Sequence, residues 1–503
     1  MPQRPNVLIV FSDQESHHDL VPGVRAPHQE RLAARGAAFT QPYCTAPQCS
    51  PARSSLLTGL YPHQTGVQTN LDAAHARDLP QGLPTIGDLA RGAGYRTAYF
   101  GKWHLSRGHG AEAHGFDVAF HPSERASERA TGRATGRATE RATGRASEHP
   151  SERPAERPAD GAGGRPSDPR GERAGTRASD PRGDSGGRPA DDPGDGGAGG
   201  HAGGDMQAAD RAAAWLQEQD GDPWLAVVSF VNPHDIYEFP RRPDQPVRPG
   251  VTVPPSLGDD LSTKPAAQRR FLHEDQGRPL VGADADRWLR YRSLYGDLIG
   301  GVDACLGRVL EVLDRRALWP QTCVVYTSDH GDLAGAHGLP FKGPCLYEEL
   351  VRVPLLLAWE GVVPAGTRPS GLVSHLDLLP TLCAALGVAA PPACAGGNLL
   401  DLLAGRPWRR ELFFEYLAKQ RWVCPIRGLR SGPWKLSQYL DGARELYHLG
   451  EDPHETVNLA GRAEHAAELA RLSTRLEAWR LDAGDTWPWG PGEPPSGEGG
   501  AGR

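Results

Sequence analysis

Apolar residues are concentrated in short runs that have the length and composition of buried strands. Each run is mostly apolar and lacks the regular alternation of a half-exposed strand, which is typical of strands covered on both faces of a sheet. The runs are residues 6–11, 95–100, 224–230, 322–327 and 353–359.

Helical patterns separate these runs along the chain. The longest covers residues 284–313, and shorter ones lie at 27–35, 205–217 and 375–386. Apolar positions three or four residues apart define the longest pattern: Leu294, Leu298, Val302, Leu306, Val309 and Leu313. Strands that alternate with helices predict an α/β fold, with a mostly parallel central sheet flanked by helices.

The pattern changes near residue 409. Short strand-like segments follow closely at 411–416, 427–430, 434–436 and 445–449, and a helical stretch covers 463–481. We interpret residues 1–408 as one α/β domain and residues 409–485 as a smaller C-terminal α+β domain. The Gly- and Pro-rich end, residues 486–503, is predicted to be a flexible tail.

Residues 121–204 interrupt the first domain with a low-complexity segment rich in Arg, Gly, Pro and Ala. Similar tetrapeptides recur in this segment, but they do not predict a repeat fold. A repeat unit needs a hydrophobic face to stack on its neighbours, and these tetrapeptides lack one. The segment is predicted to be a disordered insertion without a catalytic part. The alternative is a docking segment that acts through its charges.

The 503 residues carry 55 Lys and Arg against 62 Asp and Glu, which gives a formal net charge of -7. Because there is no global basic field, we expect a small-molecule partner and no nucleic acid. The first apolar run is too short for a signal peptide, and no run reaches the length of a membrane span. The eight cysteines form no C-x-x-C pair, which is typical of reduced thiols. These features predict a cytoplasmic protein without a membrane partner.

Polar residues follow three of the predicted strands at the point where each strand ends. Asp13 and Gln14 follow the first, His234 the third, and Asp329 with His330 the fourth. Ligands bind at this edge of open α/β sheets. The oxygens of Asp13, Gln14 and Asp329 and a nitrogen of His330 suit a divalent cation. Each residue alone also has an ordinary explanation as a loop or cap residue.

A second candidate site begins at Cys49, in the segment Cys49-Ser50-Pro51-Ala52-Arg53. Pro51 suits the first turn of a helix, so Cys49 is predicted to lie at a helix N-terminus, where free amides attract anions. Arg53, one turn along, adds a fixed positive charge. Lys102, His104 and Lys342 could supply further groups for an oxyanion. The alternative is a buried cysteine before an ordinary helix.

These segments together resemble the type I sulfatases. The segment from Cys49 to Arg53 resembles the C-x-P-x-R signature of that family, and Leu56 to Gly59 continues it. Further segments that resemble the family, in the family's order, are Gly94–Leu105, Asn232–His234, Ser328–Gly331, Glu445–Tyr447, Asp452–Pro453 and Asn458–Leu459. The resemblance covers nearly the whole chain apart from the insertion and the tail, and it implies an alkaline-phosphatase-like fold.

The resemblance also implies a role for each candidate residue. Cys49 would be converted to formylglycine by a formylglycine-generating enzyme, and its hydrate would attack the sulfur of a sulfate ester. Arg53 and Lys102 would stabilise the nucleophile, and His104 would take a proton as sulfate leaves. The residues implied to bind sulfate and help protonate the departing alcohol are His234 and Lys342.

The implied metal ligands are Asp13, Gln14, Asp329 and His330, with modified Cys49 as a further ligand. Many family members have a second aspartate at the place of Gln14 and an asparagine at that of His330. The resemblance therefore implies one divalent cation, calcium first, with manganese or magnesium also open.

The candidate residues and the family resemblance allow three functions. The first is a sulfuric ester hydrolase that acts on a small-molecule sulfate ester. The second is a phosphonate monoester or phosphodiester hydrolase of the same superfamily, which the segment Lys102–His104 disfavours. The third is a non-catalytic anion-binding protein in which Cys49 stays unmodified. No motif identifies the natural ester or the oligomeric state.

Overall fold

The computed structural model describes residues 4–73, 76–122, 202–419 and 422–486. Of the predicted insertion, only residues 121–122 and 202–204 at its two ends are among the described residues. Of the predicted tail, only residue 486 is. Residues 202–204 belong to a helix that continues to residue 217. This helix therefore begins three residues before its predicted start.

The strands are β1 (Asn6–Asp13), β2 (Ala37–Ala38), β3 (Pro42–Tyr43), β4 (Arg96–Gly101), β5 (Val118–Phe120), β6 (Trp224–Pro233), β7 (Thr322–Ser328), β8 (Leu355–Ala358), β9 (Val373–Ser374), β10 (Glu411–Lys419), β11 (Trp422–Ser431), β12 (Trp434–Tyr439) and β13 (Arg444–His448). The α-helices are α1 (Pro27–Arg35), α2 (Cys49–Thr58), α3 (Pro62–Thr65), α4 (Ile86–Gly92), α5 (Ala202–Gln217), α6 (Ala266–Glu274), α7 (Ala285–Arg315), α8 (Glu348–Val351), α9 (Leu378–Leu386), α10 (Leu399–Leu403) and α11 (Ala466–Ala483).

The central sheet has seven strands in the order β2-β8-β7-β1-β6-β4-β5. Strands β7, β1, β6, β4 and β5 run parallel to one another. Strand β8 runs antiparallel to both of its neighbours, β7 and the edge strand β2. The prediction of a mostly parallel sheet is confirmed.

Successive residues of β1 pack on opposite faces of this sheet. Val7, Ile9 and Phe11 lie in a buried cluster with residues of α2, α4 and α9. Leu8 and Val10 pack with residues of α5 and α7. Every residue of β1 is buried, which explains why the run is apolar without alternation. Helices therefore cover both faces of the sheet.

A separate antiparallel sheet forms near the C-terminus, in the order β10-β11-β12-β13. One face packs against α11 through Leu436, Leu446 and Leu476. The other face contributes Tyr416 and Ile426 to a cluster with residues of α8. This sheet lies against the loop before α2, since the Glu415 amide donates to the Thr45 carbonyl at 2.9 Å.

Across the described ranges, the helices are too short or too polar for a bilayer crossing.

Candidate active site

Neighbouring parallel strands deliver the candidate residues to one edge of the central sheet. β1 lies between β7 and β6, and β4 lies beyond β6. The register places Ser12 opposite Ser328, so the residues that follow these positions in the two strands meet. The side chains delivered at this edge are Asp13, Gln14, Lys102, His234, Asp329 and His330.

Cys49 reaches the same edge from a helix start. It is the first residue of α2 and is fully buried. Gln48, the preceding residue, has extended backbone, and its Nε2 donates to the Ala418 carbonyl at 2.6 Å. The predicted helix start is thus observed, and the C-terminal sheet helps to hold it.

Cys49, Asp13, Asp329 and His330 form a buried cluster whose candidate ligand atoms lie within 4.8 Å of one another. Cys49 Sγ lies 3.3 Å from His330 Nε2 and 3.5 Å from Asp13 Oδ1. His330 Nδ1 lies 2.9 Å from the Gly331 carbonyl, which accepts only from a protonated nitrogen. Nδ1 is therefore the ring nitrogen used by the backbone, and Nε2 is the one that faces the cluster, where it can bind a metal once it is deprotonated.

Gln14 lies beside this cluster with one polar atom unused. Its backbone is left-handed, with φ of 78°, and its amide donates to Asp329 Oδ1 at 3.0 Å. Its side-chain Nε2 donates to Asp332 Oδ2 at 2.7 Å. Oε1 is buried and has no hydrogen-bond partner among the residues that the structure describes. Two carboxylates, an imidazole nitrogen and a free amide oxygen fit a divalent cation.

Arg53 forms ion pairs with both aspartates of the cluster. Its side chain is 1% exposed, its Nε donates to Asp329 Oδ2 at 2.8 Å, and a terminal nitrogen donates to Asp13 Oδ2 at 3.0 Å. The other terminal nitrogen donates to the Lys102 carbonyl at 2.7 Å and to Ser229 Oγ at 2.8 Å. The guanidinium thus fixes both carboxylates and the turn after β4.

Two lysines place positive charge around Cys49. Lys342 Nζ donates to Cys49 Sγ at 2.8 Å, and Lys102 Nζ lies 2.9 Å from Asp13 Oδ2. Burial and the Asp13 carboxylate oppose ionisation of the thiol, but Lys342, Lys102 and His330 outweigh them and hold the pKa of Cys49 well below its usual value. The site therefore stabilises negative charge at position 49.

Two histidines complete the surroundings of Cys49. His104 hydrogen-bonds Cys49, and burial, then Lys102, lower the pKa of this imidazole. Burial, then Lys102, also hold the pKa of His234 well below its usual value. Both histidines are therefore neutral at pH 7 and can accept a proton. The structure thus brings together every residue that the sequence analysis selected.

Three further residues at the site were missed in the sequence. Ser229 binds Arg53 from the interior of β6, and Asp332 binds Gln14. Lys419, from β10, donates to the Lys342 carbonyl and, at 3.2 Å, to the Tyr237 hydroxyl. Asp332 lies three residues after Asp329 and could have been found by extending the search past the strand end. Lys419 comes from the second sheet and has no local motif.

Comparison with known proteins finds sulfatases over most of the chain. A sequence model of the family described as Sulfatase matches residues 5–388. A second model, described as N-sulphoglucosamine sulphohydrolase, C-terminal, matches residues 335–482. Choline-sulfatase of Rhizobium meliloti (strain 1021) is 27% identical over 501 residues, which cover 96% of this chain and 88% of that protein.

Solved structures show the same fold. A 2-O GAG sulfatase matches with a TM-score of 0.74 at 23% identity, covering 97% of this chain and 94% of the other. The phosphonate monoester hydrolase of Agrobacterium radiobacter matches with a TM-score of 0.69 at 22% identity, covering 95% and 96%. The α/β architecture that the sequence resemblance implies is thereby confirmed.

Proposed function

The chain belongs to the sulfatase family, and on that premise we propose that it is a sulfuric ester hydrolase that cleaves a small-molecule sulfate monoester to an alcohol and sulfate. The observation that carries the proposal is the position of Cys49. This buried residue begins a helix, accepts a hydrogen bond from Lys342 at 2.8 Å, and lies in the cluster with Asp13, Asp329 and His330. Such a place stabilises the charge that develops on sulfate oxygens.

We further propose that Asp13, Gln14, Asp329, His330 and the modified Cys49 hold one divalent cation. Calcium suits the oxygen ligands, and manganese or magnesium would tolerate the imidazole. When bound, the cation supplies positive charge that attracts the sulfate and stabilises its oxygens. The buried Oε1 of Gln14, which has no partner among the described residues, and the orientation of His330 Nε2 toward the cluster support this assignment.

The proposed nucleophile is formylglycine, made from Cys49 by a formylglycine-generating enzyme. Its hydrate supplies a hydroxyl for attack on sulfur, and its return to the aldehyde releases sulfate without attack of water on sulfur. His104, neutral and hydrogen-bonded to position 49, accepts the proton that this return requires. Arg53 and Lys102 hold Asp13 and the turn beside it in place.

The departing alcohol needs a proton, which we assign to Lys342 and His234. With the unmodified thiol, burial opposes the charge of Lys342, but Cys49 and then Asp13 outweigh it and raise the pKa of this lysine; Asp13 and Asp329 still favour its protonated form once Cys49 is modified. His234 is neutral, because burial and Lys102 lower its pKa. A bound sulfate anion would offset the charge of Lys102 and so favour protonation of His234 when substrate arrives.

The domain boundaries are part of the same proposal. We assign residues 1–408 to the catalytic domain and residues 409–485 to a smaller domain that shapes the substrate pocket. Contacts of β10 support this role, because Ala418 accepts from Gln48 next to the nucleophile, and Lys419 donates to the carbonyl of Lys342.

Hydrolysis of phosphonate monoesters or phosphodiesters is the second candidate. The pair Asp329–His330 favours it, since hydrolases of that kind share an Asp-His metal pair. The contacts of Lys102 with Asp13 and of His104 with Cys49 favour sulfate, because those hydrolases carry other residues at the Lys102–His104 segment.

Competing kcat/KM measurements on an aryl sulfate and a phenyl phosphonate ester, with the same metal-loaded sample, separate the two candidates. We expect the sulfate to be preferred and Cys49→Ala to abolish both activities. A clear phosphonate preference would replace the first proposal by the second. Protein from the native host in which the mass of the Cys49 peptide shows only the thiol would leave the non-catalytic anion-binding role.

A further inference from the structure

Gln14 is held at every polar group except one. Its backbone amide donates to Asp329 Oδ1, and its carbonyl accepts from the Tyr295 hydroxyl at 2.6 Å. Its side-chain nitrogen donates to Asp332 Oδ2 at 2.7 Å. Only Oε1 is buried without a partner among the described residues. A side-chain amide has one oxygen end and one nitrogen end, so the partner of one end decides where the other points.

Asp332 is itself fixed in place. Its Oδ1 accepts from the Ala334 amide at 2.7 Å and from the Tyr291 hydroxyl at 2.9 Å. Its own backbone amide donates to Ser16 Oγ at 2.9 Å, and the side chain is fully buried. The carboxylate therefore presents Oδ2 to Gln14 in one orientation.

We infer that Asp332 is a positioning residue: it holds the side-chain amide of Gln14 with its nitrogen toward Asp332, which leaves its oxygen available to the cation. The Gln14 amide, the Tyr291 hydroxyl and the Ala334 amide all donate to this carboxylate, and an accepting oxygen selects the NH₂ end of the Gln14 amide. The inference rests on the proposed function, because it concerns the cation proposed there. Without this hydrogen bond the amide could turn and present NH₂, which cannot bind a cation.

The hydrogen bond to Asp332 also affects how well Gln14 can act as a ligand. Gln14 is neutral where many relatives of this family carry a second aspartate, so only Asp13 and Asp329 bring charge to the proposed ligand set. A hydrogen bond from the Gln14 amide to the Asp332 carboxylate polarises the amide and makes Oε1 a better ligand. Asp332 thus acts on the proposed ligand through Gln14 without touching the cation.

Three variants separate this role from a structural one. In Asp332→Asn, the remaining oxygen can still accept from Ala334 and Tyr291, while the new NH₂ group faces Gln14. The Gln14 oxygen then turns toward Asn, and its NH₂ group turns toward the cation. In Gln14→Glu, two carboxylates face each other. In the double variant Gln14→Glu with Asp332→Asn, the Asn donates to one Glu oxygen and the other oxygen is free for the cation.

The readout is the dissociation constant of Ca²⁺ or Mn²⁺, measured by titration calorimetry on chelator-treated full-length protein. We expect Asp332→Asn to weaken cation binding by about 10- to 100-fold, the usual effect of losing a partner that orients a metal ligand. We expect Gln14→Glu to bind less well than the double variant, and the double variant to recover most of the wild-type affinity. Such rescue is coupling between the two positions, which a general loss of structure does not produce.

Tyr291→Phe is the matched control, because it removes a donor to Asp332 but leaves the carboxylate facing Gln14. We expect it to bind the cation nearly as well as wild type. Thermal unfolding of each metal-free protein checks that it is folded. If Asp332→Asn is too unstable to titrate, the comparison of Gln14→Glu with the double variant provides the same test.

The outcomes distinguish the two claims. A wild-type protein that binds neither cation would refute the metal site of the proposed function. Binding by wild type that is equalled by Asp332→Asn would overturn the inference alone. The inference also fails if the double variant binds no better than either single variant, or if Tyr291→Phe weakens binding as much as Asp332→Asn.

Discussion

Replacing Arg53 by methionine should destabilise the metal-free protein by about 3–5 kcal/mol, the usual cost of breaking a buried ion pair. Arg53 is 1% exposed and donates to Asp13, Asp329, the Lys102 carbonyl and Ser229. Methionine fills much of the volume but donates no hydrogen bond. The variant therefore leaves buried carboxylate charge without its main partner.

The cost falls unequally on the two aspartates. Asp13 keeps Lys102, whose Nζ lies 2.9 Å from Oδ2. Asp329 still accepts hydrogen bonds from the backbone amides of Gln14 and His330, but both donate to Oδ1. Its Oδ2 loses the hydrogen bond that Arg53 donates. We therefore expect a loss near that of one broken buried pair, and not twice that amount.

Urea unfolding in the presence of a chelator, followed by fluorescence and circular dichroism, gives the free energies of unfolding. Arg53→Lys keeps the charge but loses the fork, so its stability should lie between those of wild type and Arg53→Met. Arg292→Met is the matched control, because Arg292 is equally buried but donates to the carbonyls of Leu20 and Ala334. It should cost about 1–3 kcal/mol. The reasoning is refuted if Arg53→Met costs no more than Arg292→Met, or if Arg53→Lys matches wild type.

Two further predictions concern side chains outside the cluster. Asp205 accepts hydrogen bonds from the amides of Val231 and Asn232 and from Asn232 Nδ2, at 2.6, 3.0 and 3.0 Å. Asp205→Ala should therefore lower the free energy of unfolding by about 2–4 kcal/mol. A loss below about 1 kcal/mol in urea unfolding, or an equal loss in Asp205→Asn, would contradict this. Burial, and after it the charge of Lys342, lower the pKa of Lys419 from 10.5 to about 7. Between pH 7 and pH 10.5 the unfolded chain therefore binds a proton at this lysine that the folded chain does not. This lysine makes the free energy of unfolding of the wild type rise by about 1.4 kcal/mol per pH unit. Lys419→Met lacks this rise, and a stability difference between the two proteins that stays constant from pH 7 to pH 10 would show the assignment to be wrong.

The candidate site could be predicted because of a general property of parallel sheets. The carboxyl ends of β1, β6 and β7 lie side by side, so polar residues that follow separate apolar runs meet in space. Asp13 and Asp329 are 316 positions apart in the chain, yet Arg53 binds both. The spacing of Pro51 and Arg53 after Cys49 likewise predicts a helix start, because these local preferences are strong.

Other features had no local pattern to reveal them. Strand β2 contains two residues, too few for a periodicity, and its antiparallel pairing with β8 depends on distant packing. Lys419 reaches the site from the second sheet, and its contact with Lys342 depends on how that sheet packs. The pairing of Gln14 with Asp332 joins two turns, and neither residue alone indicates the other.

The central claim is that Cys49 becomes the formylglycine nucleophile of a sulfate ester hydrolase. The most direct measurement prepares the protein with graded levels of a formylglycine-generating enzyme and determines the aldehyde fraction from the mass of the peptide that contains Cys49. Release of sulfate from an aryl sulfate is then measured on the same metal-loaded samples. The account predicts that kcat rises in proportion to the aldehyde fraction and extrapolates to zero for the unmodified thiol. Sulfate release that does not depend on the aldehyde fraction, or none at full conversion, would contradict it.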